Sequence, residues 1–313
     1  MAAVVGNSKY RVGTRGSPLA LAQTSAVCLQ LSKVCGLSSA DIEIKVIKTT
    51  GDQTQSRLLA EIGGKGLFTR ELEIALAAGE IDFAVHSAKD MPAVLPSGLI
   101  IAAYLEREDA RDALVARNRE TLESLPGGAS LGTASMRREA QVRRARPDIE
   151  VRPLRGNIHS RLRKIDEGEL GATILGMAGL KRLGLTAAVS QVLSMDEFLP
   201  AVGQGAVAIE ARENDKRVRD LLAAINHMPT AVAAAAERAF LNVLDGSCRT
   251  PIAGHAVISG NNLAFRGMIL EPRGLAAHEV RRSGTIAEAA RLGAEAGDEL
   301  KRRAGAGFMV HAV

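Results

Sequence analysis

The residues of this chain that could do chemistry fall into three groups. The first is a single thiol. Cys248 lies in Glu237-Arg-Ala-Phe-Leu-Asn-Val-Leu-Asp-Gly-Ser-Cys-Arg-Thr-Pro-Ile-Ala-Gly254, where a helix-like stretch ends at Asp245-Gly246 and the thiol follows in a loop closed by Pro251. A lone thiol in a polar turn is a covalent attachment point or a nucleophile; in a core it is a small apolar residue. The second group is His86-Ser-Ala-Lys-Asp-Met-Pro92, which follows the apolar run Ile81-Asp-Phe-Ala-Val85. A carboxylate beside an ammonium at the carboxyl end of a buried strand is placed for charge work. A surface Lys–Asp pair would contribute almost nothing to stability. His86 itself reads as a hydrogen-bonded core histidine. The third group is two helix starts with hydroxyl caps, Arg15-Gly-Ser17 and Thr133-Ala-Ser-Met-Arg-Arg138. Exposed N–H groups and the positive end of the helix dipole bind anions there. Each cap alone is ordinary capping; the arginines at 15, 137 and 138 favour the anion.

The elements that must position these groups follow from pattern. Tyr10–Gly13 reads as a short strand. Ser17 caps a helix with Pro18 at its first position and Gly36 at its end, and Leu21, Cys28 and Cys35 repeat along one face as core packing. Ile42, Ile44 and Val46 alternate as a strand. Phe68–Ala78 is a helix stopped by Gly79, and Ile81–Val85 a buried strand. Strands follow at Asp112–Ala116, Ser130–Gly132, Ile149–Arg152 and Ala172–Leu175. Helices run from Ser135 to Pro147 and over Asn157–Glu167. Strands alternating with helices predict parallel sheets, with ligands outside the carboxyl ends of the strands. The repeated βα pattern predicts two similar lobes around a cleft, with a hinge at Leu105–Asp109 and a second crossing near Phe198–Gly205. The last ~90 residues change character: an Ala-rich helix over Thr230–Leu244, a hairpin turning at Gly260-Asn-Asn262, and an amphipathic helix over Thr285–Arg303. The expected division is 1–105 with about 200–225 as the first lobe, 106–199 as the second, and 226–313 as a small α+β domain holding Cys248.

Composition narrows the function. Apolar residues are 46% and charged residues 24% of 313, which describes a globular chain with sizeable cores. No apolar run approaches the ~18 residues of a membrane span. The start lacks a basic segment before an apolar core, so no secretory signal is visible. Three cysteines without CxxC spacing point away from disulfides and zinc and toward a reducing cytoplasm. Residues 137–164 hold nine Arg and one Lys against three acids, a surplus of seven positive charges. The segment has no Phe, Tyr or Trp, and the chain has no Trp, so platforms for stacking bases are missing. Arg rather than Lys suits fork-on-carboxylate recognition. A small polycarboxylate therefore fits better than nucleic acid. Gly63-Gly-Lys-Gly66 lacks the spacing of a phosphate loop and reads as a mobile glycine-rich segment near the cleft.

Together these segments resemble the hydroxymethylbilane synthase, or porphobilinogen deaminase, family. The carrying motifs are Arg15-Gly-Ser-Pro-Leu-Ala-Leu-Ala-Gln23, Lys48-Thr-Thr-Gly-Asp52, Gly64-Lys-Gly-Leu-Phe68, Val85-His-Ser-Ala-Lys-Asp-Met-Pro92, Gly132-Thr-Ala-Ser-Met-Arg-Arg138, Arg155-Gly-Asn157 and the Cys248 loop. They run in order through residues 11–254. Asp245, Ser247 and Arg249-Thr250 depart slightly from the family's loop but keep the turn and the thiol. The resemblance implies two periplasmic-binding-protein-like α/β lobes and a small α+β domain. It implies stepwise condensation of four porphobilinogen units into a linear tetrapyrrole, with release of ammonia, on a dipyrromethane cofactor attached through Cys248. It implies Asp90 as the catalytic carboxylate and cofactor contacts at Ser87, Lys89, Thr133, Ser135, Arg137, Arg138 and Gln204. Substrate contacts fall at Arg15, Ser17, Arg155, Arg161 and Arg182, with no metal, no nucleic acid and no membrane, in a cytoplasmic monomer. A loop past a helix C-terminus gets no dipole help in lowering a thiol pKa, which suits one-time attachment. The rival readings are a two-lobed solute-binding or effector-sensing protein, which leaves Cys248 without a role, and a cysteine hydrolase pairing Cys248 with His86, His227 or His255.

Overall fold

The computed structural model describes residues 9–53, 66–244, 251–305 and 308. Cys248 and Gly63-Gly-Lys65 lie outside the described residues. Strand β1 (Tyr10–Thr14) leads into helix α1 (Pro18–Cys35), where the Ser17 hydroxyl accepts from the Ala20 N–H and Gly36 closes the helix at φ 71°. The buried face of α1 is Ala20, Gln23, Thr24, Val27 and Leu31, not the expected Leu21–Cys28–Cys35 line. Leu21 is exposed and the two cysteines are half-buried at the margin. The true face was disguised by polar residues that are satisfied inside: Thr24 donates to Ala20 O and to Thr14, and Gln23 reaches Ser87.

Strand β2 (Ile42–Val46), a one-turn helix α2 (Thr50–Gln53), helix α3 (Arg70–Ala77), β3 (Phe83–Ser87) and β4 (Leu99–Tyr104) complete the first pass. The chain then crosses to β5 (Asp112–Ala116), β6 (Ser130–Gly132), α4 (Met136–Ala145), β7 (Glu150–Arg152), α5 (Ile158–Asp166), β8 (Ala172–Gly176), α6 (Met177–Arg182) and β9 (Gln191–Val192). It crosses back into β10 (Val207–Arg212) and α7 (Lys216–Ala223). The sheets have the orders β2-β1-β3-β10-β4 and β7-β6-β8-β5-β9. In each, the first three strands are parallel and the fourth is antiparallel to both neighbours. The sheets are therefore mixed rather than parallel. The reason is topological: β5 and β10 enter from the opposite lobe and run back against the strands they join.

Helix α8 (Met228–Val243), strands β11 (Ile252–Ser259), β12 (Asn262–Leu270) and β13 (Ala277–Thr285), and helix α9 (Ala289–Ala304) form the last unit, an antiparallel meander covered by two helices. Its core packs Phe240 on Phe265, ring centroids 5.0 Å apart, with Leu292, Ala296 and Leu300 from α9.

One buried carboxylate ties the three units together. Glu237 on α8 is fully buried and accepts from Arg107 Nη1 at 2.5 Å, from the Gly203 N–H at 2.6 Å and from the Ala256 N–H at 2.8 Å. Arg107 belongs to the first crossing, Gly203 to the second and Ala256 to β11. The expected hinge at Leu105–Asp109 is thus pinned: Arg107 also donates to Gln204 O, and Lys181 reaches Glu108 at 2.8 Å. The crossings touch so closely that Gly205 (φ 88°) has no room for a side chain, since a Cβ there would lie 2.2 Å from Glu108 O. Burial works against ionisation of Glu237, yet Arg107 and His255 hold its pKa at about 2. A depressed carboxylate contributes stability above its unfolded pKa that is lost as pH falls through the folded one. Stability of the wild-type protein is expected to drop between about pH 4 and pH 2. Glu237→Gln should lower the unfolding free energy at pH 7 by about 3 kcal/mol, the cost of stranding a buried partner, and blunt that acid transition. Urea unfolding at several pH values checks both.

Candidate active site

The site forms where the carboxyl ends of β3 and β8 meet the second crossing. β3 stops at Ser87 and a 3-10 turn, Ala88–Asp90, carries Lys89 and Asp90 outward. The Ala88 N–H bonds to Ala206 O, and Ser87 Oγ pairs with the buried Gln23 amide at 2.9 Å. Gly203 (φ 73°) lets the crossing pass against this turn; a Cβ there would sit 2.9 Å from the Lys89 nitrogen. From the other lobe, Gly176 at the end of β8 faces the same place. A Cβ on Gly176 would stand 3.6 Å from Lys89 Nζ and 3.5 Å from the Gln204 amide, in ordinary contact with both, so Gly176 lies directly against the ammonium. Lys89 Nζ is 3.3 Å from Gln204 Oε1, and Gln204 Nε2 donates to Ala110 O and Asp112 Oδ1.

Asp112 is the feature that sequence reasoning missed. It opens β5, is fully buried, and accepts from Arg137 Nη2 at 2.7 Å and from Arg138 Nη2 at 2.7 Å and Nε at 3.1 Å. Arg137 also donates to Leu199 O and Arg138 to Ile174 O. The sequence presents these arginines as forks for a bound carboxylate; the structure turns both toward a carboxylate of the protein. Each guanidinium has five N–H groups, so these bonds leave donors over. The signal for Asp112 was present: an acid heading an otherwise apolar buried strand needs a cation.

The hydroxyl caps do local work. Ser135 Oγ accepts from the Arg138 N–H, and the buried Thr133 Oγ1 accepts from the Ser135 N–H at 3.1 Å. Arg161 on α5 donates to Gly156 O, and Arg182 at the end of α6 donates to Gly205 O. Arg15 lies over the Phe68 ring, 4.3 Å from its centroid, and Arg155 follows β7, half-buried. Four other arginines of 137–164 form surface pairs, Arg143–Glu139, Arg146–Asp148, Arg152–Glu150 and Arg163–Glu167.

The electrostatics have one theme. Burial, reinforced by Arg138, pushes the Lys89 ammonium down to about 8, while Asp90 and Asp112 oppose. Burial and Arg138 push Arg161 down to about 10, against Asp90. Burial lowers Arg182 as well. Burial would raise Asp112, but Arg137 and Arg138 overcome it and hold the carboxyl well below its usual range. Lys89, Arg137, Arg138 and Arg161 thus face two carboxylates, Asp90 and Asp112, leaving two positive charges unmatched in a poorly solvated place. The arrangement fits an anion with more than one carboxylate, and Asp90 is left to act as a hydrogen-bond acceptor. Among the described residues no group of His, Cys, Asp and Glu could hold a metal ion, and no helix is long and apolar enough to cross a membrane.

Residues 10–220 match the family model for the porphobilinogen deaminase dipyromethane cofactor binding domain, and residues 231–302 match that for the porphobilinogen deaminase C-terminal domain. The chain belongs to the porphobilinogen deaminase family. The porphobilinogen deaminases of Nitrobacter winogradskyi and Nitrobacter hamburgensis are each 52% identical over 297 residues, covering 95% of this chain and 94% of theirs. Among solved structures, a TRAP periplasmic solute binding protein from Desulfovibrio salexigens is 9% identical with a TM-score of 0.43, covering 71% of this chain and 73% of that one. The Bordetella pertussis BvgS VFT2 domain is 14% identical with a TM-score of 0.42, covering 70% and 85%.

The cradle makes a prediction. In Cys248→Ser protein, which carries no attached group, the Lys89 amine should titrate near pH 8, against the ordinary ~10.4 of surface lysines. Competitive labelling with acetic anhydride, read by peptide mass spectrometry, reports the midpoint. A bound di- or tetracarboxylate should move it upward, because the added anion favours the ammonium.

Proposed function

We propose that this chain is the hydroxymethylbilane synthase that family membership implies, joining four porphobilinogen units head to tail with loss of ammonia. The observation that carries the reading is the cradle: a half-buried ammonium against Gly176, in the field of arginines whose charge exceeds that of the protein's own carboxylates. Porphobilinogen carries an acetate and a propionate, so the growing product is a polycarboxylate that answers this surplus. Lys89, Arg161, Arg182, Arg155 and Arg15 act as the direct carboxylate ligands. Arg137 and Arg138 supply field from their places on Asp112 and lend their remaining donors. Ser87, Gln204 and the Thr133–Ser135 cap shape the polar wall, and Ser17 holds the first residues of α1 beside Arg15.

Attached through Cys248, the dipyrromethane supplies the pyrrole carbon that receives the first unit. The residues of the cradle suit it, because its carboxylates are opposite in charge to the surplus cations and its pyrrole N–H groups can donate to Asp90. The three sheets support two lobes built from 1–105 with about 200–225 and from 106–199, and a third unit from 226 onward. The protein works as a cytoplasmic monomer on a small molecule.

Asp90 is the catalytic residue. Loss of ammonia from porphobilinogen leaves an electron-poor azafulvene that is cationic while its ring nitrogen keeps its proton. A primary amine is already protonated at neutral pH, so departure as ammonia needs charge stabilisation more than it needs an acid. A carboxylate about 4 Å from that cation, at an effective dielectric of about 20, contributes about 4 kcal/mol, or roughly a thousandfold in rate. Asp90→Asn holoenzyme should therefore keep its fold and its attached two-pyrrole mass yet lose single-turnover rate by orders of magnitude. A rate within a few-fold of wild type would remove Asp90 from the role. Intact mass of the wild-type protein should exceed the sequence mass by two pyrrole units, and Cys248→Ser should abolish both the excess and turnover.

A further inference from the structure

Behind the Lys89–Asp90 turn lies a cluster that the chemistry above does not use. Ala84 of β3 packs toward α3, with Leu72 and Leu76, whereas Phe83 and Val85 pack toward α1. His86 shares the side of Ala84 because strand residues alternate. Its ring is buried, with Nε2 3.1 Å from Glu210 Oε2, and the two side chains are 3% and 0% exposed. The distance is that of a hydrogen bond but the alignment is not. His86 Nε2, both Glu210 carboxylate oxygens, Glu73 Oε1 and Thr69 Oγ1 are all buried without a hydrogen-bond partner. Among the described residues no lysine or arginine forms an ion pair with Glu73 or Glu210. Burial, with Glu210 and Glu71, pushes the Glu73 carboxyl up, while His86 pulls the other way.

Unsatisfied buried polar atoms are costly and call for a reason. The charged groups facing His86 are Glu210 from β10 and Glu73 from α3, while the Tyr104 phenol, beyond Ala208 on β4, faces Arg238, Glu237 and Arg107 instead. Sliding the end of β3 would part the His86 ring from the Glu210 carboxylate and leave both polar groups buried without each other, which is strongly unfavourable. Asp90 is four residues downstream of this fixed point, and the intervening turn is short and tied to Ala206 and Gln23.

We infer that His86, clamped by Glu210 under Glu73, is a positioning residue that sets where Asp90 and Lys89 stand in the cradle. The inference rests on the functional reading above. The test uses holoenzyme carrying His86→Leu, Glu210→Gln, or the double change His86→Leu/Glu210→Leu. The single variants should retain the two-pyrrole mass and lose tenfold or more in kcat, with the porphobilinogen KM within threefold. In the same substitutions on the Cys248→Ser background, the Lys89 labelling midpoint should rise as the loosened turn lets water reach the ammonium. The double variant removes both polar groups and should regain melting temperature while kcat stays low. Single variants within twofold of wild-type kcat and with an unmoved Lys89 midpoint overturn the inference, as does a double variant that recovers kcat together with melting temperature. Should the double variant not fold, His86→Gln decides. It keeps much of the size and the hydrogen bonding, so kcat recovered above that of His86→Leu at unchanged KM supports the clamp and kcat no better than that of His86→Leu overturns it. Failure of wild-type protein to consume porphobilinogen would instead strike the functional reading.

Discussion

Everything at the centre of this molecule depends on positive charge held where water is scarce. Lys89, Arg137, Arg138 and Arg161 share one region with two carboxylates, Asp90 and Asp112. Desolvation makes such a surplus expensive. The fold bears that cost by spreading the cations over separate elements: a 3-10 turn after β3, the first turn of α4 and the body of α5. An anionic ligand with several carboxylates converts the cost into binding. On the function proposed above, the ligand's acid groups go to the cations and Asp90 answers the charge that develops on the pyrrole.

Two buried carboxylates organise the framework around those cations. Asp112 gathers Arg137, Arg138 and Gln204 at the mouth of the second lobe, and Gln204 passes the constraint to Lys89 of the first. Glu237 does the same between the crossings and the last unit. Neither pair is ornament on a surface. Each is sealed, multiply hydrogen-bonded, and joins segments about a hundred residues apart in sequence. Glycine at 203 and 205 is the complement: at each, a side chain would collide with the backbone of the turn or of the first crossing.

Much of this was legible in the sequence, and the misses have physical causes. Strand and helix placements through Gly176 follow periodicity, caps and glycine stops, and Ser17, Ser135 and Asn157 all cap as their sequence contexts suggest. Sheet direction was not legible, because alternation of strands and helices does not reveal that β5 and β10 arrive from the opposite lobe. The buried face of α1 was misplaced because Gln23 and Thr24 look like surface residues until their partners Ser87 and Thr14 are known. Strands β4, β9, β10 and β13 went unread, the last because Ala277–Thr285 is rich in charge. In the site, the arginines were visible as a composition, but their division between inner ion pairs and surface pairs was not. Asp112, Glu237 and Glu210 are single acids whose meaning lies wholly in distant partners.

The account's central claim is that substrate carboxylates answer a fixed surplus of protein cations. The most direct measurement is kcat/KM for porphobilinogen against its dimethyl ester, which keeps the reactive aminomethyl pyrrole and removes both negative charges. The account predicts a loss of a hundredfold or more for the ester, since each buried, charge-assisted pair is worth about 1.5–3 kcal/mol and each 1.4 kcal/mol is about tenfold. Ester turnover within a few-fold of the free acid would contradict it.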